Sequence, residues 1–192
     1  MAIKLVNISK EYDAKVVLDN ISYDIEEGVT TCIMGPSGSG KTTLLRIMMG
    51  LEMPDEGTIV GLENLKKSAV FQDDRLCENL TVSSNIKMAR RKPLQADQIL
   101  DAIKKVELPP DCLKQSVQHL SGGQKRRVAI LRALMTEYDI LFMDEPFKGL
   151  DLETKKQVIN YVKELTQGKT VILVTHDEME YQEMSEKMIY LQ

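Results

Sequence analysis

The sequence predicts an α/β fold: a mainly parallel sheet with helices on both faces. Three observations predict it. The runs Ile140 to Met143 and Val171 to Val174 are apolar throughout, as strands buried on both faces are, and they are strand-sized. Helix-period segments alternate with them in the last third of the chain. Near the N-terminus, strand-like VTTCIM runs directly into a glycine-rich turn and then a helix.

The elements follow in order. IKLVNI, VVLDNISYDI and VTTCIM read as strands, and KTTLLRIMMGL as a helix ending at Gly50. PDEGTIVG reads as a turn and a short hairpin strand, and SAVFQ as another strand. The chain is expected to be helical from Asn85 to Val106, where Ile99, Ala102, Ile103 and Val106 recur at helical spacing before the Pro109-Pro110 break. SGGQKRRVAILRALM reads as a helix and DILFMDE as a buried strand. LETKKQVINYVKELTQ reads as a helix capped by Asp151 and stopped by Gly168. TVILVTHD is a second buried strand, followed by a short helix and the strand MIYL. No internal repeat or low-complexity segment interrupts this order.

The chain has 192 residues, and one domain over 1–192 is expected. Hydrophobic and charged fractions of 43% and 28% are those of an ordinary soluble globular domain that needs no disulfide or metal to hold its core. A net charge of −4 gives no sign of a general electrostatic grip on nucleic acid, although one face could still be basic. Cys32, Cys77 and Cys112 are far apart and unpaired by spacing, so they read as reduced thiols. MAIKLVNISKEY has neither the apolar core nor the small-residue cleavage pattern of a signal peptide. No apolar run approaches the ~20 residues of a membrane helix.

Chemistry concentrates in three places. Gly35, Pro36, Ser37, Gly38, Ser39, Gly40, Lys41 and Thr42 spell the phosphate-loop pattern, with Thr43 continuing it. Glycines there let backbone N–H groups point at phosphate oxygens, and the following helix adds its positive N-terminus. Lys41 is placed for the β- and γ-phosphates of a nucleotide, and the Thr42 hydroxyl for Mg²⁺. Second, the apolar strand from Ile140 ends in Asp144, a carboxylate that such a strand can hold beside the metal. The adjacent Glu145 is placed to act on an attacking water. Third, Leu120 is followed by Ser121, Gly122, Gly123 and Gln124 at a helix start. Ser121 can cap that helix, the glycines permit close approach, and the helix dipole favours an anion. A chain that already owns a phosphate loop has no evident need of a second phosphate site, so this one suits the nucleotide of a partner.

GPSGSGKT and LSGGQ together resemble the ATP-binding cassette (ABC) ATPases, and the resemblance covers nearly the whole chain in order. It implies a phosphate-loop NTPase core, ATP and Mg²⁺, and two chains closing head-to-tail around ATP. On that likeness Tyr12 stacks on adenine with Val17 beside it, and Gln72 senses Mg²⁺ and the membrane partner. Asp151 in KGLD crosses the dimer interface, and His176 in VTHD holds the γ-phosphate and the hydrolytic water. His119, just before the signature, reads as a structural or solvated residue.

FQDDRLCENLTVSSNI and EPFKGLD resemble the importer branch, particularly the ATPases for nitrate, sulfonate and taurine. The implied protein is a cytoplasmic ATPase, peripheral on the inner face of the cell membrane. Its implied partners are an identical second chain, a permease docked by the segment from Gln72 to Asn85, and an extracytoplasmic solute-binding protein, with no nucleic acid. The region between Lys41 and Gln72 is shorter than in typical members, so the resemblance implies a reduced antiparallel β region near 1–25 and 55–70 and a small helical region near 76–130, and no C-terminal regulatory extension is expected. The alternatives are an efflux-type ATPase and a non-transport cassette acting on nucleic acid or ribosomes. The single cassette and the absence of sustained heptads between Gln72 and Leu120 argue against the latter.

Overall fold

Strands β1 (Ile3–Tyr12) and β2 (Lys15–Ile25) form an antiparallel hairpin, and β4 (Glu56–Val60) adds to the other edge of β1. The computed structural model describes residues 3–90 and 93–192. Met1 and Ala2, at the head of the predicted β region, lie outside the described residues, as do Arg91 and Lys92 in the stretch expected to be helical. The second sheet is wholly parallel. It runs in the order β5 (Lys67–Val70), β6 (Ile140–Asp144), β7 (Thr170–Val174), β3 (Thr30–Met34), β8 (Lys187–Tyr190). β5, at the end of the 55–70 stretch, is therefore an edge strand of the parallel sheet and not part of the antiparallel one.

The helices are α1 (Lys41–Met49), α2 (Val82–Lys87), α3 (Ala96–Lys105), α4 (Gly122–Leu134), α5 (Leu152–Thr166) and α6 (Glu178–Met184). The apolar runs are explained by burial on both sheet faces. In β6, Leu141 and Met143 join the core formed with α3, α4 and α5, while Ile140 and Phe142 join the core formed with α1 and the antiparallel sheet. Val171 and Leu173 of β7 divide from Ile172 and Val174 in the same way, the period of two of a pleated strand. Each fully buried side chain of this kind contributes about 1.5–3 kcal/mol, so neither face tolerates a polar substitution.

One expectation needs correction. The helical stretch does not begin at Asn85. Thr81 caps α2 by accepting the Ser84 N–H at 3.2 Å, so Asn85 sits inside the helix. Its fully buried amide accepts the Cys77 N–H at 2.8 Å and donates to the carbonyls of Cys77 and Thr81 at 3.0 and 3.1 Å. The chain then leaves the helix after Lys87 and restarts at α3, capped by Gln95. Cys32 and Cys112 are buried thiols and Cys77 is exposed, all three free. Among the described residues no helix is long and apolar enough to cross a membrane.

Because the five strands are parallel, their carboxyl ends share one edge. The phosphate loop leaves β3, Gln72 follows β5, Glu145 follows β6 and His176 follows β7. In open α/β sheets that edge is where ligands bind.

Candidate functional site

The phosphate loop is shaped by two left-handed glycines. Gly38 has φ +83° in open space, and Gly40 has φ +86°, where an added Cβ would lie 2.7 Å from Leu18 Cδ2 and 2.8 Å from the Val17 carbonyl. An L side chain at Gly40 is excluded by both conformation and contact. The first helical bond, from Leu44 N–H to the Gly40 carbonyl at 2.8 Å, starts α1 directly behind the loop. Lys41 is buried, and its ammonium donates to the carbonyls of Gly35 and Pro36 at 2.8 and 2.7 Å. It is thus held over the loop rather than in solvent.

A cavity of about 400 Å³ opens above the loop, walled by Ser37, Gly38, Gly40, Lys41, Thr42 and Thr43. Tyr12, Val17, Gln72 and Glu145 complete its lining. Tyr12 is 41% exposed, and its hydroxyl donates to Glu52. The Thr42 hydroxyl donates to Asp144 Oδ1 at 3.3 Å. Asp144 is buried, which pushes its carboxyl above the ordinary range, as does the neighbouring Glu145; the Thr42 hydrogen bond and the charges of Lys41 and Arg126 oppose the rise. A hydroxyl, an amide and a carboxylate made unfavourable by burial are hard oxygen donors of the kind Mg²⁺ takes beside phosphates, so the residues present fit that ion.

Glu145 lies one residue beyond β6, in a left-handed conformation with φ +45°. Its N–H donates to the Val174 carbonyl at 2.8 Å, extending the β6–β7 ladder. Its Oε1 is 3.1 Å from His176 Nδ1 and its Oε2 is 3.0 Å from Lys148 Nζ. Burial raises the carboxyl, but Lys148 and His176 outweigh it and hold Glu145 below the ordinary carboxylate range. The Glu145 carboxyl is therefore held in its charged form.

Ser121 and Gln124 close a reciprocal capping box at the start of α4. The Ser121 N–H donates to Gln124 Oε1 at 2.9 Å, and the Gln124 N–H to Ser121 Oγ at 3.3 Å. A Cβ at Gly123 would lie 3.5 Å from Leu150 Cδ2, which places the signature beside the loop that ends at Asp151. Asp151 caps α5 by accepting the Thr154 N–H at 3.0 Å, a bond that lowers its carboxyl below the ordinary range. Ser121, Gly122, Gly123, Gln124 and Asp151 do not line the cavity over the phosphate loop. His119 is exposed, with a contact to Gln118.

Sequence reasoning missed several residues around the site. Arg126 donates to the carbonyls of Phe71, at 2.7 Å, and Gln72, and pairs with Asp74 at 3.3 Å. Lys148 is the second partner of Glu145, and Lys155 bridges Asp177 and Glu180 beside His176. In the sequence, KRR after the signature and KK in α5 look like solvated charge, and no local pattern separates them from it.

The sequence profile described as ABC transporter matches residues 18–148. Over its full length the chain is 37% identical to the sulfate/thiosulfate import ATP-binding protein CysA 2 of Rhizobium meliloti (strain 1021), covering 57% of that protein. It is 35% identical to the protein named CysA, with the same import description, from Pseudomonas syringae pv. tomato (strain ATCC BAA-871 / DC3000), covering 100% of this chain and 64% of that one. It is 37% identical to the spermidine/putrescine import ATP-binding protein PotA of Marinobacter nauticus (strain ATCC 700491 / DSM 11845 / VT8), over 98% of this chain and 55% of that one. The chain thus spans 55–64% of the length of these relatives. The fold superimposes on the dimeric post-hydrolysis ATP-binding cassette MJ0796 bound to ADP and Pi with a TM-score of 0.86 and 33% identity, covering 99% of this chain and 94% of that one. A Pyrococcus furiosus putative ABC transporter ATP-binding protein gives a TM-score of 0.87 at 26% identity, covering 100% and 98%.

Proposed function

The chain belongs to the ABC transporter family, and from that premise we propose that it is the ATP-hydrolysing motor of an importer, working as a head-to-tail pair on a separate membrane permease. The observation that carries this reading is the meeting of Thr42 with Asp144 and of Glu145 with His176 at one edge of the parallel sheet. Family membership and the import names of the relatives support import over efflux.

The residues divide the work as follows. Backbone N–H groups from Gly35 to Thr43 and the Lys41 ammonium bind the β- and γ-phosphates of ATP. Tyr12 and Val17 face the adenine. Thr42, Asp144 and Gln72 hold Mg²⁺, which supplies charge neutralisation at the phosphates. Glu145 orients the attacking water and receives its proton. His176, held by Glu145, contacts the γ-phosphate. Ser121, Gly122, Gly123 and Gln124 complete the site from the other chain, with Asp151 crossing between the two. Their exclusion from the cavity of their own chain supports that arrangement. ATP binds the closed pair better than the open one, so closure is the step that drives the permease.

The segment from Gln72 to Asn85 docks the permease, preformed by the Asn85 amide, with Leu80 41% exposed on it. The protein is peripheral on the inner face of the membrane through that contact, and an extracytoplasmic binding protein delivers the solute. The solute stays at the class of small ions and organic solutes. The relatives named above import sulfate, thiosulfate or polyamines, and they do not single out nitrate, sulfonate or taurine.

Glu145→Gln tests the reading. The variant is expected to bind ATP, to lose turnover, and to elute as a dimer in ATP and a monomer without it on size-exclusion chromatography. Lys41→Ala is the matched control, with ATP affinity down about 10–100-fold for a lost charged hydrogen bond. A Glu145→Gln protein that stays monomeric in ATP removes the two-chain site.

A further inference from the structure

We propose that Arg126 is a positioning residue for Gln72, tying the metal side of one nucleotide site to the helix that carries the signature for the other. The inference rests on the assignment of Gln72 made above, and it concerns how that side chain is held.

β5 ends at Val70, so the carbonyls of Phe71 and Gln72 have left the ladder and need other donors. Arg126, one turn into α4, supplies them. Its Nη1 donates to the Phe71 carbonyl at 2.7 Å and its Nη2 to the Gln72 carbonyl. Nε lies 3.3 Å from Asp74 Oδ1, an ion pair that adds charge but no hydrogen bond. The residue is 7% exposed, so all three contacts are made away from water. A planar guanidinium that donates to two successive carbonyls fixes both distance and orientation, which a lysine ammonium cannot do. The Gln72 backbone is therefore rigidly referred to α4, and Gln72 lines the same cavity as Thr42.

A second grip lies further along the same helix. Arg132 donates to the carbonyls of Arg75 and Asp74 at 2.7 and 3.0 Å. It touches neither Phe71 nor Gln72, and so provides an internal comparison. Any displacement of α4, and with it of Ser121, carries Gln72 along through Arg126. Metal contact by Gln72 becomes conditional on where the signature stands.

The experiment compares Arg126→Lys, Arg126→Met and Arg132→Met in the full chain. ATP affinity in EDTA and the thermal midpoint report an intact phosphate loop and fold, and are expected to match wild type for Arg126→Lys. The Mg²⁺ concentration for half-maximal ATPase should rise, and kcat fall, each about tenfold, the usual effect of removing a group that orients a metal ligand. Amide exchange at residues 71–74 should quicken while that of the phosphate loop stays unchanged. Arg126→Met should do the same more severely. Arg132→Met should quicken exchange near Asp74 and Arg75 without moving the Mg²⁺ dependence. Wild-type Mg²⁺ dependence and exchange in Arg126→Lys overturn the proposal. So does loss of metal-free ATP binding in step with thermal stability, which makes Arg126 a folding residue only. If wild type hydrolyses no ATP, the motor reading fails, while the exchange at 71–74 still decides whether the clamp exists.

Discussion

Glu145 Oε1 lies 3.1 Å from His176 Nδ1. The two residues follow adjacent parallel strands, and the Asp144–Val174 pairing sets their separation. His176 has a side chain 67% exposed, so the carboxylate is the contact that fixes its ring. His176→Ala should therefore lower kcat by about a hundredfold, the scale of a lost donor to charge in the transition state, while ATP still binds. Steady-state ATPase alongside equilibrium nucleotide binding checks this, and wild-type turnover in the variant would remove His176 from the mechanism.

Gly122 and Gly123 have no reason within their own chain to be glycine. A Cβ at Gly122 meets nothing within 4 Å, and one at Gly123 makes only an ordinary 3.5 Å contact with Leu150. Both lie in α4, where alanine stabilises by up to about 1 kcal/mol. Gly122→Ala and Gly123→Ala should thus melt no lower than wild type, yet lose ATP hydrolysis and the ATP-trapped dimer of the Glu145→Gln background. Thermal melts with size-exclusion chromatography test the pair of claims. An active Gly122→Ala enzyme contradicts close approach by a partner.

The legible parts of this protein were those written in local pattern. Asp151 and Gly168 bracket α5 because a cap and a left-handed stop act on their own neighbours. β6 could be read because burial on both faces leaves a run without polar residues. The sheet order could not, since the place of β3 between β7 and β8 depends on crossovers spanning most of the chain. Nor could the start of α2. Asn85 is a poor helix former, and its place inside the helix is secured by loop groups around Cys77 that no periodicity encodes. The site divides in the same way. Lys41 and Thr42 are fixed by the turn in which they sit. The partners Arg126 and Lys155 were illegible because a charge run looks the same in sequence whether it is solvated or folded onto carbonyls and carboxylates.

Lys155 provides the last test, on stability. Its ammonium lies 2.7 Å from Asp177 Oδ2 and 2.8 Å from Glu180 Oε1, and the other Glu180 oxygen accepts the Thr175 hydroxyl at 2.6 Å. Glu180 is 3% exposed, so removing the cation leaves a buried carboxylate without its charge partner. Lys155→Met should cost about 3–5 kcal/mol, the range for breaking a buried pair from one side. The Lys155 hydrogen bond leads the causes that hold the Asp177 carboxyl below its ordinary 3.8. Burial opposes charge on Lys155, yet the hydrogen bonds it donates to Asp177 and Glu180 outweigh it and raise the ammonium above 10.5. The depressed carboxyl stabilises above 3.8 and loses that contribution as pH falls through its folded value. The raised ammonium stabilises below 10.5 and loses its contribution as pH rises through its own. The deficit of Lys155→Met should therefore be greatest near neutral pH, shrink as pH falls towards the carboxylate range, and shrink again as pH rises beyond 10.5. Urea unfolding across pH measures it. A deficit below about 0.5 kcal/mol at neutral pH, typical of surface substitutions, would mean that the network holds neither α5 nor the His176 loop in place.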